Sequence, residues 1–130
     1  MKKKIPFFFL CILCLAPLFC SCEPEDIPLP EDQINIDYLY GKWNQEHTMI
    51  YYRYNEDGTG CTWDEADDIT EDEAQRFTWE VDGNQMIHIH LTETGTAKVP
   101  KQYIITSLSN VQLSYYDAYN TYTFHKVLNE

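Results

Sequence analysis

The sequence predicts an all-β domain: a small eight-stranded antiparallel up-and-down barrel with a short N-terminal helical turn. Three observations support this prediction. Short segments of alternating apolar and polar residues recur about every 8–12 residues, turn residues separate these segments, and aromatic residues make up 15% of the chain. Closure into a barrel removes the exposed edges that a row of eight strands would leave. A two-sheet sandwich is the alternative architecture.

The predicted strands are short and follow one another without a long helix. A helical turn near residues 37–40 precedes them, and a capping-box pattern at Thr70–Glu73 predicts one further turn. Turn residues such as Asp57-Gly58 and Ser109-Asn110 mark the connections. The strands are placed at about residues 41–47, 48–54, 59–64, 76–81, 85–92, 100–107, 111–116 and 120–127.

Two histidines in the fifth predicted strand allow two interpretations. Ile87, Ile89 and Leu91 are the more apolar set of this strand, so we expect them to face the core. His88 and His90 then face solvent. Two imidazoles on one face of a strand can also bind zinc with a nearby carboxylate. Because the sequence shows no clear third ligand, the surface interpretation is preferred.

The N-terminal residues predict export. A positive segment, Lys2–Lys4, precedes an apolar run of 16 residues from Ile5 to Cys20, which is shorter than the about 20 residues of a transmembrane helix. The pair Ser21-Cys22 resembles the lipobox of bacterial lipoproteins. This resemblance implies that residues 1–21 are a cleaved signal peptide and that Cys22 carries the lipid.

An acidic, proline-rich segment follows the predicted lipidation site. Residues 22–36 are expected to form the lipidated cysteine and its tether, and residues 37–130 the barrel domain. Acidic residues directly behind such a cysteine resemble the surface-export signals of Bacteroidetes lipoproteins. We therefore expect an exported outer-membrane lipoprotein on the cell surface, attached to the membrane through Cys22. A spacer without an address is the alternative.

Charge and cysteine content restrict the choice of partners. Cleavage before Cys22 leaves six basic residues against 21 acidic ones, a formal net charge of −15. Such a surface repels nucleic acid, so no nucleic-acid partner is expected. Cys61 is then the one free thiol, so no intramolecular disulfide forms and the fold depends on its core. A monomer without a cofactor is expected.

A family resemblance begins at Gly41-Lys42-Trp43, directly behind the helical turn. It resembles the Gly-x-Trp signature of lipocalins, in which the tryptophan closes one end of the barrel. Lipocalins often pair this tryptophan with an arginine near the end of the last strand, where this chain has Lys126. Further matching segments are Asn55-Glu56-Asp57-Gly58-Thr59-Gly60, Trp63-Asp64, Phe77-Thr78-Trp79, Val99-Pro100-Lys101 and Tyr122-Thr123-Phe124. Over about residues 37–128, the chain resembles the small lipocalin-like lipoproteins of Bacteroidetes.

This resemblance implies an eight-stranded barrel on a membrane tether but implies no substrate. The interior of such a barrel is filled by side chains or holds one small ligand. The leading functional prediction is a membrane-anchored binding module for a small ligand or a protein partner. Candidate interior contacts are Trp63, Trp79, Tyr103 and Phe124.

An acidic segment at residues 64–73 holds seven carboxylates in ten positions. It allows a calcium site, a solvated loop or a contact surface for a basic partner, although its spacing lacks the glycine of an EF-hand loop. The contact surface supports the alternative function, an inhibitor or accessory lipoprotein acting on a basic enzyme or surface complex. The candidate residues are Asp64, Asp67, Asp68, Glu71 and Asp72.

Motifs of catalysis are not recognisable in the chain. The sequence contains neither a Gly-x-Ser-x-Gly nucleophile motif nor a phosphate-binding glycine loop. Its carboxylates are too numerous for the sequence to select an acid/base pair. We therefore expect that the protein is not an enzyme.

Overall fold

Eight antiparallel strands, each hydrogen-bonded to the next in chain order, form the wall of a closed barrel. The computed structural model describes residues 27–129. The first strand closes the barrel by pairing with the last, with Trp43 opposite Lys126. The strands are β1 Gly41–Gln45, β2 Ile50–Tyr54, β3 Thr59–Asp64, β4 Gln75–Asp82, β5 Gln85–His90, β6 Lys101–Leu108, β7 Gln112–Tyr116 and β8 Thr121–Lys126. The predicted up-and-down barrel is therefore confirmed.

Short 3-10 helices occupy two regions outside the strands. Two of them precede β1, at Glu31–Gln33 and Ile36–Tyr38, in agreement with the predicted N-terminal helical turn. The other two lie between β3 and β4, at Glu65–Asp67 and Glu71–Glu73. Thr70 and Glu73 form the predicted capping box, which supplies partners for the first backbone N–H groups of its turn.

One end of the barrel is closed by the turn that leads into β1. Trp43 is fully buried, and its indole Nε1 donates a hydrogen bond of 2.9 Å to the carbonyl of Leu39, which is itself buried. Gly41 has a φ of 123°, a conformation that favours glycine, and a Cβ there would lie 3.2 Å from Lys126 Nζ. The Gly-x-Trp segment therefore lies at the end of the barrel that this turn covers.

Lys126 occupies the place where larger lipocalins often carry an arginine. Its Nζ lies 4.5 Å from the centroid of the Trp43 ring, a cation–π distance. The same ammonium donates hydrogen bonds to the carbonyls of Tyr38 and Tyr40. It thus links the end of β8 to the turn that covers the barrel.

The segment before this turn also packs on the barrel. Leu29, Ile34 and Ile36 contact the core, and the Leu29 N–H donates to the carbonyl of Ile105 at 2.8 Å. Part of the segment that the sequence assigned to the tether is therefore packed, because it carries enough apolar surface to be buried. The predicted signal peptide and Cys22 lie outside the described residues. Within residues 27–129, no helix has the length and apolarity needed to cross a membrane.

We expect Lys126→Met to destabilise the barrel by about 2 kcal/mol, because it removes the cation–π contact and both charged hydrogen bonds. Lys126→Arg should retain most of the stability, since it keeps the charge above Trp43. Urea denaturation measures both free energies of unfolding. Lys101→Met, at an exposed position of β6, is the control. Equal losses for Lys126→Met and Lys101→Met would contradict a specific role of Lys126 in closure.

Candidate functional site

Aromatic side chains fill the barrel interior. The rings of Tyr103 and Tyr115 lie 4.6 Å apart between centroids, and those of Tyr115 and Phe124 lie 5.2 Å apart. Phe77 and His88 stack at 4.7 Å. Contacts of this length leave the middle of the barrel packed as a hydrophobic core. A candidate binding site therefore has to be sought at an end of the barrel or on its outer wall.

The prediction that His88 and His90 face solvent is wrong. Their exposed fractions are 0% and 7%, whereas Ile87 and Ile89 on the other face are only partly buried. The two histidines lie inside the barrel with Met86.

Cross-strand register explains this orientation. β4 presents Phe77 and Trp79 to the interior, and these residues pair directly with His90 and His88 of β5. The tight turn at Gly83, with φ of 62°, sets that register. The aromatic face of β4 therefore decides the orientation of β5, although the isoleucines are the more apolar set.

His88 has one hydrogen-bond partner in this core. Its Nε2 lies 3.1 Å from the hydroxyl of Tyr54, whereas its Nδ1 is buried without a partner in the described part of the chain. Burial, followed by the charges of His90 and Lys101, lowers the pKa of His88 to about 3. Burial also raises the pKa of Tyr54 well above its ordinary value. Both groups are therefore neutral at neutral pH.

A cleft of about 680 Å³ opens at the end of the barrel opposite Trp43. The end of β3, the beginning of β4 and the residues after β5 form its walls. Two connections flank it: the acidic segment between β3 and β4, and the segment 91–100 between β5 and β6. Because the core below is filled, this cleft is a site at the mouth and not an internal pocket.

The walls of the cleft combine three kinds of side chain. Its apolar lining includes Ile50, Ile69 and Leu91. Its neutral polar lining consists of Thr62, Gln75 and Thr92, and its charged lining of Asp64, Glu73, Arg76, Glu93 and Lys98. Such a lining can accept an apolar body and also offers hydrogen-bond donors and acceptors to its polar groups.

The acidic segment is held in a defined shape by its own contacts. The Glu71 carboxylate lies 2.6 Å from Nε of Arg53 on β2. Asp64 accepts a hydrogen bond from the N–H of Ala66 at 2.9 Å, and Asp68 adopts the left-handed conformation with φ of 61°. These contacts position one wall of the cleft.

The structure separates the carboxylates proposed as a contact or calcium site. Asp64 and Glu71 are engaged as described above, whereas Asp67, Asp68 and Asp72 are exposed. Among residues 27–129, no three His, Cys, Asp or Glu side chains are grouped so that they could hold a metal ion. His88 and His90 therefore have no third ligand beside them among these residues.

The four candidate interior contacts lie in different environments. Tyr103 and Phe124 are core residues, and Trp79 packs against that core while its Nε1 donates to the Thr59 carbonyl. Trp63 is different because it lies on the outer face of β3, opposite to the face that carries Gly60 against Phe77. It is nearly buried there and is the one member of this set that lines the mouth cleft.

Trp63 belongs to an outer cluster beside the acidic segment. Its ring stacks on Tyr51 at 5.5 Å, and Nζ of Lys42 lies 5.3 Å from the Trp63 ring centroid. The indole Nε1 donates to Glu65 at 3.3 Å. Trp63 therefore supports the wall of the cleft through contacts on the outer face of the barrel. Its ring is too buried for a ligand to stack on it.

Comparisons with known proteins support the fold. No protein-family model matches the chain, and no curated protein matches it in sequence. Among solved structures, the chain is similar to a lipocalin-like protein from Bacteroides uniformis, with a TM-score of 0.55 and 16% identity. The match covers 69% of this chain and 99% of that protein. At this identity, the likeness shows a shared lipocalin-like fold.

Sequence reasoning missed most of the cleft. Thr62, Gln75, Arg76 and Lys98 line it, yet they lie far apart in the chain and match no binding motif. Their one common feature in the sequence is a position at or near a predicted strand end. The closure of the barrel brings these strand ends together.

We expect the buried His88 to make the fold sensitive to acid. In the unfolded chain His88 binds a proton below its ordinary pKa of about 6.5, whereas in the folded protein it resists protonation down to about 3. Its contribution to stability is therefore complete above pH 6.5 and is lost as the pH falls toward 3.

His88→Phe keeps an aromatic ring in the core but removes this titration. Between pH 7 and pH 4.5, the unmodified protein should lose about 2–3 kcal/mol more free energy of unfolding than the variant. Urea denaturation at the two pH values measures this difference. Parallel losses in the two proteins would show that His88 does not carry the effect.

Proposed function

We propose that this protein is a non-catalytic binding module that takes a small ligand in the cleft at the barrel mouth. The cleft itself carries the proposal. Its volume of about 680 Å³ lies within the range of about 300–1,000 Å³ that is common for small-molecule sites. The filled interior supports a site at the mouth, because aromatic and aliphatic core side chains occupy the middle of the barrel.

The lining indicates a ligand with an apolar body and polar groups. Ile69 and Leu91 can cover apolar surface, and Thr62 and Gln75 can form neutral hydrogen bonds. The fixed acidic segment supplies one wall, so part of the site is preorganised before a ligand arrives.

The acidic segment supports a second candidate function, the inhibition or assistance of a basic enzyme or surface complex. The observation in its favour is that Asp67, Asp68 and Asp72 project into solvent from a segment of defined shape. The cleft is the stronger basis, because other carboxylates of the segment are engaged within the chain. Glu71, for example, is paired with Arg53.

We further propose that the module is exported and held at the outer membrane through a lipid on Cys22, with the barrel on the cell surface. Support comes from the sequence of residues 1–26, which lie outside the described part of the chain. In that sequence, the basic start, the apolar run and the Ser21-Cys22 pair occur in the order of a lipoprotein signal.

We expect Ala74→Trp to block the cleft, because Ala74 lines it and an indole would occupy its volume. The measurement uses N-phenyl-1-naphthylamine, an uncharged dye that fluoresces in apolar sites, with residues 23–130. This segment contains the whole closed barrel and its core. The variant should bind the dye at least about tenfold more weakly than the unmodified protein.

Ala66→Trp is the matched control, since Ala66 is exposed on the same segment but does not line the cleft. It should leave dye affinity unchanged. An equal effect of the two substitutions, or no dye binding by the unmodified protein, would contradict the cleft as the binding site. In the latter case the acidic segment becomes the preferred explanation of function.

Lipidation is tested on the full-length chain, expressed in a Gram-negative host that is fed labelled palmitate. We expect label on the unmodified protein and on Cys20→Ala, but none on Cys22→Ala, because Ser21 precedes Cys22 whereas the bulky Phe19 precedes Cys20. Label that persists in Cys22→Ala, or that is lost in Cys20→Ala, would contradict the assignment of the acceptor.

A further inference from the structure

The few basic side chains of the described chain are unevenly placed. Lys42 and Arg53 both meet the carboxylate of Glu71, and Lys126 is committed to the closed end of the barrel. The other basic side chains are Arg76, Lys98 and Lys101, and all three lie near the mouth. A strongly acidic protein therefore concentrates its uncommitted positive charge at one place.

Arg76 and Lys98 both line the cleft. The backbone brings them together on either side of β5: the N–H of Leu91 donates to the carbonyl of Arg76, and the N–H of Lys98 to that of His90, each at 2.9 Å. Both side chains belong to exposed residues, and within residues 27–129 neither forms an ion pair. They are therefore available to a ligand.

Lys101 adds charge beside this pair without lining the cleft. It is the cross-strand partner of His88, on the same stretch of β5 that Lys98 adjoins. Besides burial, the charges of Lys101 and Lys98 lower the pKa of His90. The positive charge of the two lysines therefore acts on His90, inside the mouth of the barrel.

The acidic residues of the cleft are less available than the basic ones. Asp64 accepts the Ala66 N–H, and Glu73 belongs to the capping box with Thr70. Glu93, the third carboxylate of the lining, has no hydrogen bond or ion pair of this kind within residues 27–129. Carboxylates farther away are screened, because the Debye length is about 8 Å at physiological ionic strength. Arg76 and Lys98 are therefore the cationic groups that an anion entering the cleft would meet.

We propose that the ligand of the cleft is a small organic anion. Its carboxylate, sulfonate or phosphate group is held between Arg76 and Lys98, and its apolar body lies against Ile69 and Leu91. A guanidinium and an ammonium at one site form charge-assisted hydrogen bonds with such a group. This inference rests on the proposed function and specifies the chemical class of the ligand.

The test compares two dyes that differ in one group. 1-Anilinonaphthalene-8-sulfonate carries the ring system of N-phenyl-1-naphthylamine with an added sulfonate, so the pair isolates the effect of the negative charge. The unmodified protein should bind the sulfonated dye more tightly than the neutral one. Arg76→Gln and Lys98→Gln should each weaken binding of the sulfonated dye by about fivefold and affect binding of the neutral dye much less, so that the preference for the sulfonated dye falls.

Lys101→Gln is the matched control, since it removes the same charge from a neighbouring residue that does not line the cleft. It should alter the affinity for the sulfonated dye by less than about twofold. Circular dichroism of every variant confirms that the exposed substitutions leave the barrel folded.

Three results would overturn the anion preference. They are tighter binding of the neutral dye by the unmodified protein, unchanged affinity for the sulfonated dye in Arg76→Gln and Lys98→Gln, and an equal loss in Lys101→Gln. In each case the proposed function survives if Ala74→Trp still weakens binding of the neutral dye at least about tenfold. Failure of both dyes to bind the unmodified protein would overturn the proposed function as well.

Discussion

The packing of aromatic rings inside a narrow barrel is the constraint on which the other features of this protein depend. Eight strands enclose a space just wide enough for side chains. Tyr54, Phe77, Tyr115 and Phe124, each almost completely buried, occupy it here. These rings stabilise the fold through a large buried area and mutual edge and stacking contacts. The same packing leaves no room for a ligand in the middle of the barrel, which is why the proposed site lies at the mouth.

The two ends of the barrel differ because different segments cover them. At one end, the residues before β1 pass across the opening and are secured by Trp43 and Lys126. At the other, the segments after β3 and β5 stand apart and leave a cleft between them. Closure of one end and filling of the centre together leave the second end as the location of the proposed ligand site.

Positive charge is scarce in this protein, and its distribution is informative. One lysine stabilises the closed end, and Lys42 and Arg53 hold the acidic segment through Glu71. Without that contact, the wall of the cleft would carry seven carboxylates with little to oppose their repulsion. Within the part of the chain that the structure describes, the cations at the mouth make no such ion pair, and this difference is the basis of the recognition role proposed for them.

Much of the fold could be predicted from the sequence. The strand positions agree with the structure to within two residues at every end, because alternation and turn residues are local signals. The Gly-x-Trp segment lies at the end that the turn before β1 covers. The orientation of β5 could not be predicted in this way, because hydropathy compares only the two faces of one strand. Pairing with Phe77 and Trp79 of β4 outweighed the greater apolarity of Ile87 and Ile89.

The candidate site was less predictable than the fold. Trp63 looked like an interior residue because it is aromatic and lies on a strand, yet strand parity places it on the outer wall. The sequence around Arg76 and Lys98 matches no binding motif. Their proposed role depends on the ion pairs that the other cations form, and only the structure shows those pairs. The sequence by itself determined the number of strands, their limits and the closed end. Only the tertiary structure decided which strand faces turn inward and where, in the described part of the chain, the basic side chains without ion pairs lie. Both depend on pairing between strands that are distant in the chain.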